Sequence, residues 1–109
     1  MPVVLLASFP NSRIKPRPAT SQAVTSHVSC AAGVATLVQI ADPNRTYLNV
    51  RNLDSTTTVY LGYDNTVNAS TGIPLAPNQE YDNIATQQSV YIFNPSGAPI
   101  NVSLDNGDG

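Results

Sequence analysis

With 109 residues the chain has room for one domain, and a lone cysteine, Cys30, excludes an intrachain disulfide. Charged residues make up 11% of it against an average near 25%, and one histidine, His27, beside that one cysteine cannot supply the usual ligand set of a structural zinc. The net charge of −2 is unevenly laid out: residues 1–30 hold Arg13, Lys15 and Arg17 and no acid, whereas residues 31–109 hold two arginines against seven acids, a +3 front before a −5 body.

Residues 1–22 read as an extended N-terminal arm, because Pro2, Pro10, Pro16 and Pro18 forbid helix and push the residues before them toward extended geometry. Its apolar start, Val3, Val4, Leu5, Leu6 and Phe9, has nothing local to bury against, so it is expected to dock on a partner. Arg13, Lys15 and Arg17 then suit an acidic surface. Three cations make a poor phosphate footprint, so nucleic acid is not an expected partner. The Met1–Phe9 stretch lacks a basic lead and is short and proline-broken, unlike a secretory signal. No run reaches the roughly 20 apolar residues of a membrane span, so no membrane partner is expected.

Residues 23–109 read as the body. Ala23–Ser29 alternates weakly and predicts an edge strand, Gly33 makes a turn, and Val34–Ile40 predicts a strand that could close a hairpin with it. Pro43-Asn44 is a turn before Arg45–Asn52, whose period-two alternation predicts a central strand with Leu48 and Val50 on one side and Tyr47, Asn49 and Arg51 on the other. Strands are predicted over Thr57–Tyr63, weakly over Tyr81–Ile84, over Ser89–Asn94 and over Ile100–Leu104, and Pro74 confines Ile73–Leu75 to an edge. Asp64–Gly72 is a long polar loop, and Asp105–Gly109 a frayed tail. The fold class is therefore all-β: a small antiparallel β-sandwich of about six to eight strands, jelly-roll or immunoglobulin-like.

No catalytic or metal constellation emerges, and no cofactor is expected. His27 and Cys30 lie three apart, so on a strand they face opposite sides, and no third group marks a triad. Asp64 with Asn65 and Asn68 is too poor in carboxylates for a calcium loop. If Leu48, Val50, Val59, Leu61, Val90, Ile92, Val102 and Leu104 face inward, the opposite face shows Tyr47, Arg51, Tyr60, Tyr91 and Phe93, residue types enriched at interfaces. A body this small seldom draws more than about 3 to 5 kcal/mol from its own core, which favours self-association.

The runs PNRTYLNVRN, TVYLGYDNTV, TGIPLAPNQEYD and VYIFNPSGAPINVSL, with Arg45, Leu48, Asn52, Gly62 and Gly72-Ile73-Pro74-Leu75 among them, resemble small β-sandwich virion proteins of tailed bacteriophages. The resemblance implies a non-enzymatic capsid decoration or cement subunit on the virion surface. Its partners would be the major capsid protein, bridged across neighbouring capsomers, and further copies of itself, with a trimer favoured. The alternative is a tail- or fibre-associated module that binds a receptor or glycan through the Asp64–Gly72 loop and the tyrosines.

Overall fold

The computed structural model describes residues 22–108, so the arm residues Val3, Val4, Leu5, Leu6, Phe9, Arg13, Lys15 and Arg17 lie outside the described residues. The described residues form eight strands: β1 (Gln22–Cys30), β2 (Ala35–Gln39), β3 (Arg45–Asn52), β4 (Val59–Gly62), β5 (Ile73–Leu75), β6 (Glu80–Tyr81), β7 (Val90–Phe93) and β8 (Ile100–Asp108). They build two four-stranded sheets in the orders β1-β8-β3-β6 and β2-β7-β4-β5, with every pairing antiparallel. Two facing sheets with these crossovers make a jelly roll.

Period-two alternation puts one side of each strand into the gap between the sheets. Leu48, Val50, Val59, Leu61, Val90, Ile92, Val102 and Leu104 are all fully buried there, as their sequence pattern predicts. Cys30, Leu75, Ile84 and Ile100 close the ends of the same core.

Three expectations about the strands are corrected. β1 does not form a hairpin with β2; it pairs with β8 along its whole length, while β2 pairs with β7 in the other sheet. The intervening turn crosses the gap between the sheets, with Gly33 at φ 73° and its N–H donated to Asn94 O at 2.8 Å. Residues 105–108 are not a frayed tail but the end of β8, bonded to β1 on one side and β3 on the other. Their side chains carry no apolar pattern, so it is backbone pairing on both edges that holds them. The weak strand around Tyr81–Ile84 shrinks to Glu80–Tyr81, and Ile84 is fixed instead by donating its N–H to Leu48 O at 2.8 Å.

Polar side chains buried at strand ends tie the connections down. At the end of β3 the fully buried Asn52 donates Nδ2 to Thr57 O, Leu75 O and Ala76 O at 2.8, 3.0 and 3.3 Å and accepts the Asp54 N–H at 2.9 Å. After β7 the equally buried Asn94 donates to Cys30 O at 3.0 Å and Ala98 O at 2.8 Å, and accepts from Ser96. Arg45 is 3% exposed because the register shift between Arg45 and Tyr47 turns it inward, out of phase with the rest of β3. Its guanidinium donates to Ile40 O, Thr86 O and Gln88 O at 3.1, 2.7 and 2.7 Å, joining the turn before β3 to the segment before β7. Arg45, Leu48 and Asn52, which supported the phage resemblance, are thus parts of the packing.

Candidate functional site

The sandwich has two outer faces, and they differ in chemistry. On the β2-β7-β4-β5 sheet the register sets Ala35 beside Phe93, Phe93 beside Tyr60 and Tyr60 beside Pro74; the next row runs Leu37, Tyr91, Gly62. Each of these residues alternates with an inward one, Thr36, Ile92 or Leu61, which fixes its outward direction. No charged residue stands in either row. Leu37 is 45% exposed, while the rings of Tyr60, Tyr91 and Phe93 are half-buried against one another and their neighbours.

The polar 64–72 loop lies at one end of this face. Its Val67 is buried over Gly62, and a Cβ on Gly72 would stand 2.6 Å from the Tyr60 Cβ, so the loop is laid down on β4 and β5 by close approach at two glycines. Asp64 caps the loop by accepting the Thr66 N–H at 2.9 Å and its hydroxyl at 2.5 Å; these bonds hold its carboxyl below the usual carboxylate range. Asn68 is likewise spent on Ser70 and Thr71. A cleft of about 380 Å³ between Leu61, Tyr63, Val67 and Ile73 opens beside the loop, and burial, then Tyr81, raises the Tyr63 phenol above its ordinary value.

The five residues expected on one aromatic face are divided. Tyr60, Tyr91 and Phe93 share the face just described, but Tyr47 and Arg51 project from the opposite side of the molecule, on the outer face of the β1-β8-β3-β6 sheet. Alternation along a strand separates inward from outward, yet cannot say which sheet a strand joins. The members missed on the aromatic face are Ala35, Leu37 and Pro74. A legible signal existed in Ala35–Val38, apolar or neutral on both sides of the alternation, which suits a strand with an uncharged outer face.

Metal chemistry finds no set of ligands between the sheets. The core there is built mostly of aliphatic side chains with Cys30 among them, and among the described residues no group of three or more His, Cys, Asp or Glu side chains could hold a metal ion. His27 pairs with Ser103 across β1 and β8 on the outside of the sheet, and Cys30 is buried on the inside, its thiol pushed up to about 11 by burial.

No family model matches the chain, and no curated protein matches its sequence. Solved structures do match its fold. It is similar to the cupin domain of an XRE-family transcriptional regulator from Enterobacter cloacae, with a TM-score of 0.58 and 13% identity over 85% of this chain and 88% of that one. It is similar also to a cupin barrel-domain protein from Salinispora arenicola, TM-score 0.57 and 13% identity over 88% of this chain and 72% of that one. A cupin-superfamily sugar phosphate isomerase from Silicibacter pomeroyi reaches TM-score 0.50 at 13% identity, over 82% of this chain and 52% of that one.

At these identities the likeness defines the fold, a cupin-type jelly roll. It overturns the resemblance to phage virion proteins: several structures that share the architecture are cupin-domain proteins, and Arg45, Leu48, Asn52 and Leu75 of the runs that carried the resemblance are buried packing residues in this fold. The decoration or cement role, the tail or fibre alternative and the placement on a capsid surface are withdrawn with it. The neighbours mix a regulator's domain with an isomerase, so the shared fold is compatible with binding and with catalysis alike.

Proposed function

We propose that the protein is a non-catalytic assembly module whose copies associate through the outer face of the β2-β7-β4-β5 sheet. The observation that carries this reading is the pair of uncharged rows, Ala35-Phe93-Tyr60-Pro74 and Leu37-Tyr91, the second closed off at Gly62 by Val67 of the 64–72 loop. Aromatic side chains contribute large contact area at low entropic cost, and a contiguous apolar patch is the usual mark of an interaction surface.

Charge argues for a second copy as the occupant. The body carries −5 over residues 31–109, so like copies repel in general, but this face brings no charge against its own image. The opposite outer face displays Arg51, Glu80 and Asp105 and lacks that freedom. A non-catalytic role is supported by the filled interior and by carboxylates, such as Asp54 and Asp64, engaged in their own turns.

Sedimentation velocity of the full chain across a concentration series tests the reading. A concentration-dependent oligomer is expected, with Leu37→Lys and Tyr91→Asp shifting it to monomer while the far-UV spectrum stays that of a β protein. A wild-type chain that stays monomeric throughout, or variants that associate like it, would overturn the proposal.

A further inference from the structure

The outer face of the β1-β8-β3-β6 sheet holds a second, chemically different feature that does not depend on the self-association reading. A shallow cavity of about 170 Å³ is lined by Asn49, Arg51, Glu80, Ser103 and Asp105. The register explains why these residues meet. Asn49 pairs with Asp105 and Arg51 with Ser103 across β3 and β8, and Arg51 pairs with Glu80 across β3 and β6. Their inward neighbours Leu48, Val50, Val102 and Leu104 are fully buried, so this set is held outward by the core itself.

Asn49, Arg51, Glu80 and Asp105 are also held in orientation. Asp105 accepts from the Tyr47 hydroxyl at 3.2 Å on one oxygen and from Asn49 Nδ2 at 3.5 Å on the other. Asn49 Oδ1 accepts the Asn83 N–H at 2.7 Å, which turns the amide so that its NH2 faces Asp105. Arg51 donates Nη1 to Asn78 O at 2.6 Å and Nη2 to Glu80 Oε1 at 2.9 Å. Asn78 and Asn83, at φ 61° and 55°, are the two non-glycine residues with positive φ among the described residues, and each directs its backbone at one of the cavity's side chains. These are turn conformations that asparagine tolerates, and through them the backbone fixes the polar side chains around the recess in place, which lowers the ordering cost of binding there.

The donor and acceptor pattern narrows the ligand. Asp105 and Glu80 offer acceptor oxygens, and Arg51 and Asn49 keep N–H groups beyond those already used, so donors and acceptors alternate across the recess. A free anion would meet two carboxylates; a free cation would meet the guanidinium. A hydroxyl donates and accepts at once, and two vicinal hydroxyls can bridge Asp105 and Arg51. We infer that this recess binds a small neutral polyol through vicinal hydroxyls, either a pyranose ring or an acyclic polyol.

Titration of the 15N-labelled full chain, followed by amide chemical shifts, tests this with methyl α-D-mannopyranoside, methyl α-D-galactopyranoside, methyl α-D-glucopyranoside and glycerol as probes and sodium acetate as an anion control. Saturable shifts are expected at Asn49, Arg51, Asn83, Ser103 and Asp105 with at least one polyol. A pyranoside that shifts them where glycerol does not identifies the ring as the ligand, and the converse identifies the acyclic chain. Arg51→Lys and Asp105→Asn, both verified as folded by their remaining amide resonances, should weaken binding roughly tenfold or more through loss of a charge-assisted bond. No saturable shift with any polyol, shifts confined to the Tyr60 and Tyr91 face, or shifts with acetate alone would overturn the inference.

Discussion

Gly62 and Val67 contend for one volume: a Cβ on Gly62 would lie 2.5 Å from Val67 Cγ2 and 2.6 Å from its Cβ. The last residue of β4 is therefore bare so that the following loop can fold back and bury an isolated valine in an otherwise polar stretch. Val67 is 6% exposed although its flanking residues Thr66 and Asn68 are exposed.

Gly62→Ala should expel Val67 and cost about 1 to 3 kcal/mol, as overpacking does. Urea denaturation is the measurement. Combining it with Val67→Ala should cost less than the two single changes added together, because the alanine partly vacates the contested space. Strict additivity would show that the two sites do not share it.

Asn52→Asp is expected to destabilise the fold by about 2 to 4 kcal/mol although it preserves shape, because it replaces a donor serving three carbonyls with acceptor oxygens that face them. The denaturation midpoint should fall with little change in slope. A variant as stable as the wild type would mean that these carbonyls find water instead.

Cys30 should resist thiol reagents in the native state and react on unfolding, since it is fully buried and its thiol is pushed up to about 11. The raised value means that the fold holds the proton more tightly than the unfolded chain does. Stability from this source is complete below the ordinary thiol range and declines as pH rises from there toward 11. Labelling with Ellman's reagent across a urea series should follow the unfolding curve; rapid reaction in native buffer would contradict the burial.

Asp54 acts in the opposite direction. Backbone N–H groups of Thr56 and Thr57, at 3.1 and 2.7 Å, hold its carboxyl below the ordinary value. A lowered folded-state value contributes stability that is present above the ordinary carboxylate range and is lost as pH falls through the folded-state value. Asp54→Asn should flatten the acid limb of a plot of melting temperature against pH, with Asp64→Asn acting likewise through Thr66. An unchanged acid limb in both variants would refute these assignments.

The interior was legible because burial enforces strict alternation: a strand with one wet side must place every second residue in the gap, as Leu48, Val50, Val102 and Leu104 do. Arg45 escaped that rule because a bulge reverses phase without a mark in composition, placing a cation inside where a period-two count from Leu48 puts it outside. The end of β8 escaped because residues 105–108 are held by hydrogen bonds to two neighbouring strands, which leave no trace in hydropathy.

By itself, the order of residues determined that the chain is all-β, which side chains form its core, and that Pro74 lies on an edge strand. Only the tertiary structure decided which strands share a sheet. That step separated Tyr47 and Arg51 from Tyr60, Tyr91 and Phe93, and left an uncharged face on one side and a polar recess on the other. The reason is physical: alternation is a local property of one strand, whereas membership of a sheet follows from long-range pairing, and residues far apart in sequence come together only when the two sheets close over their common core.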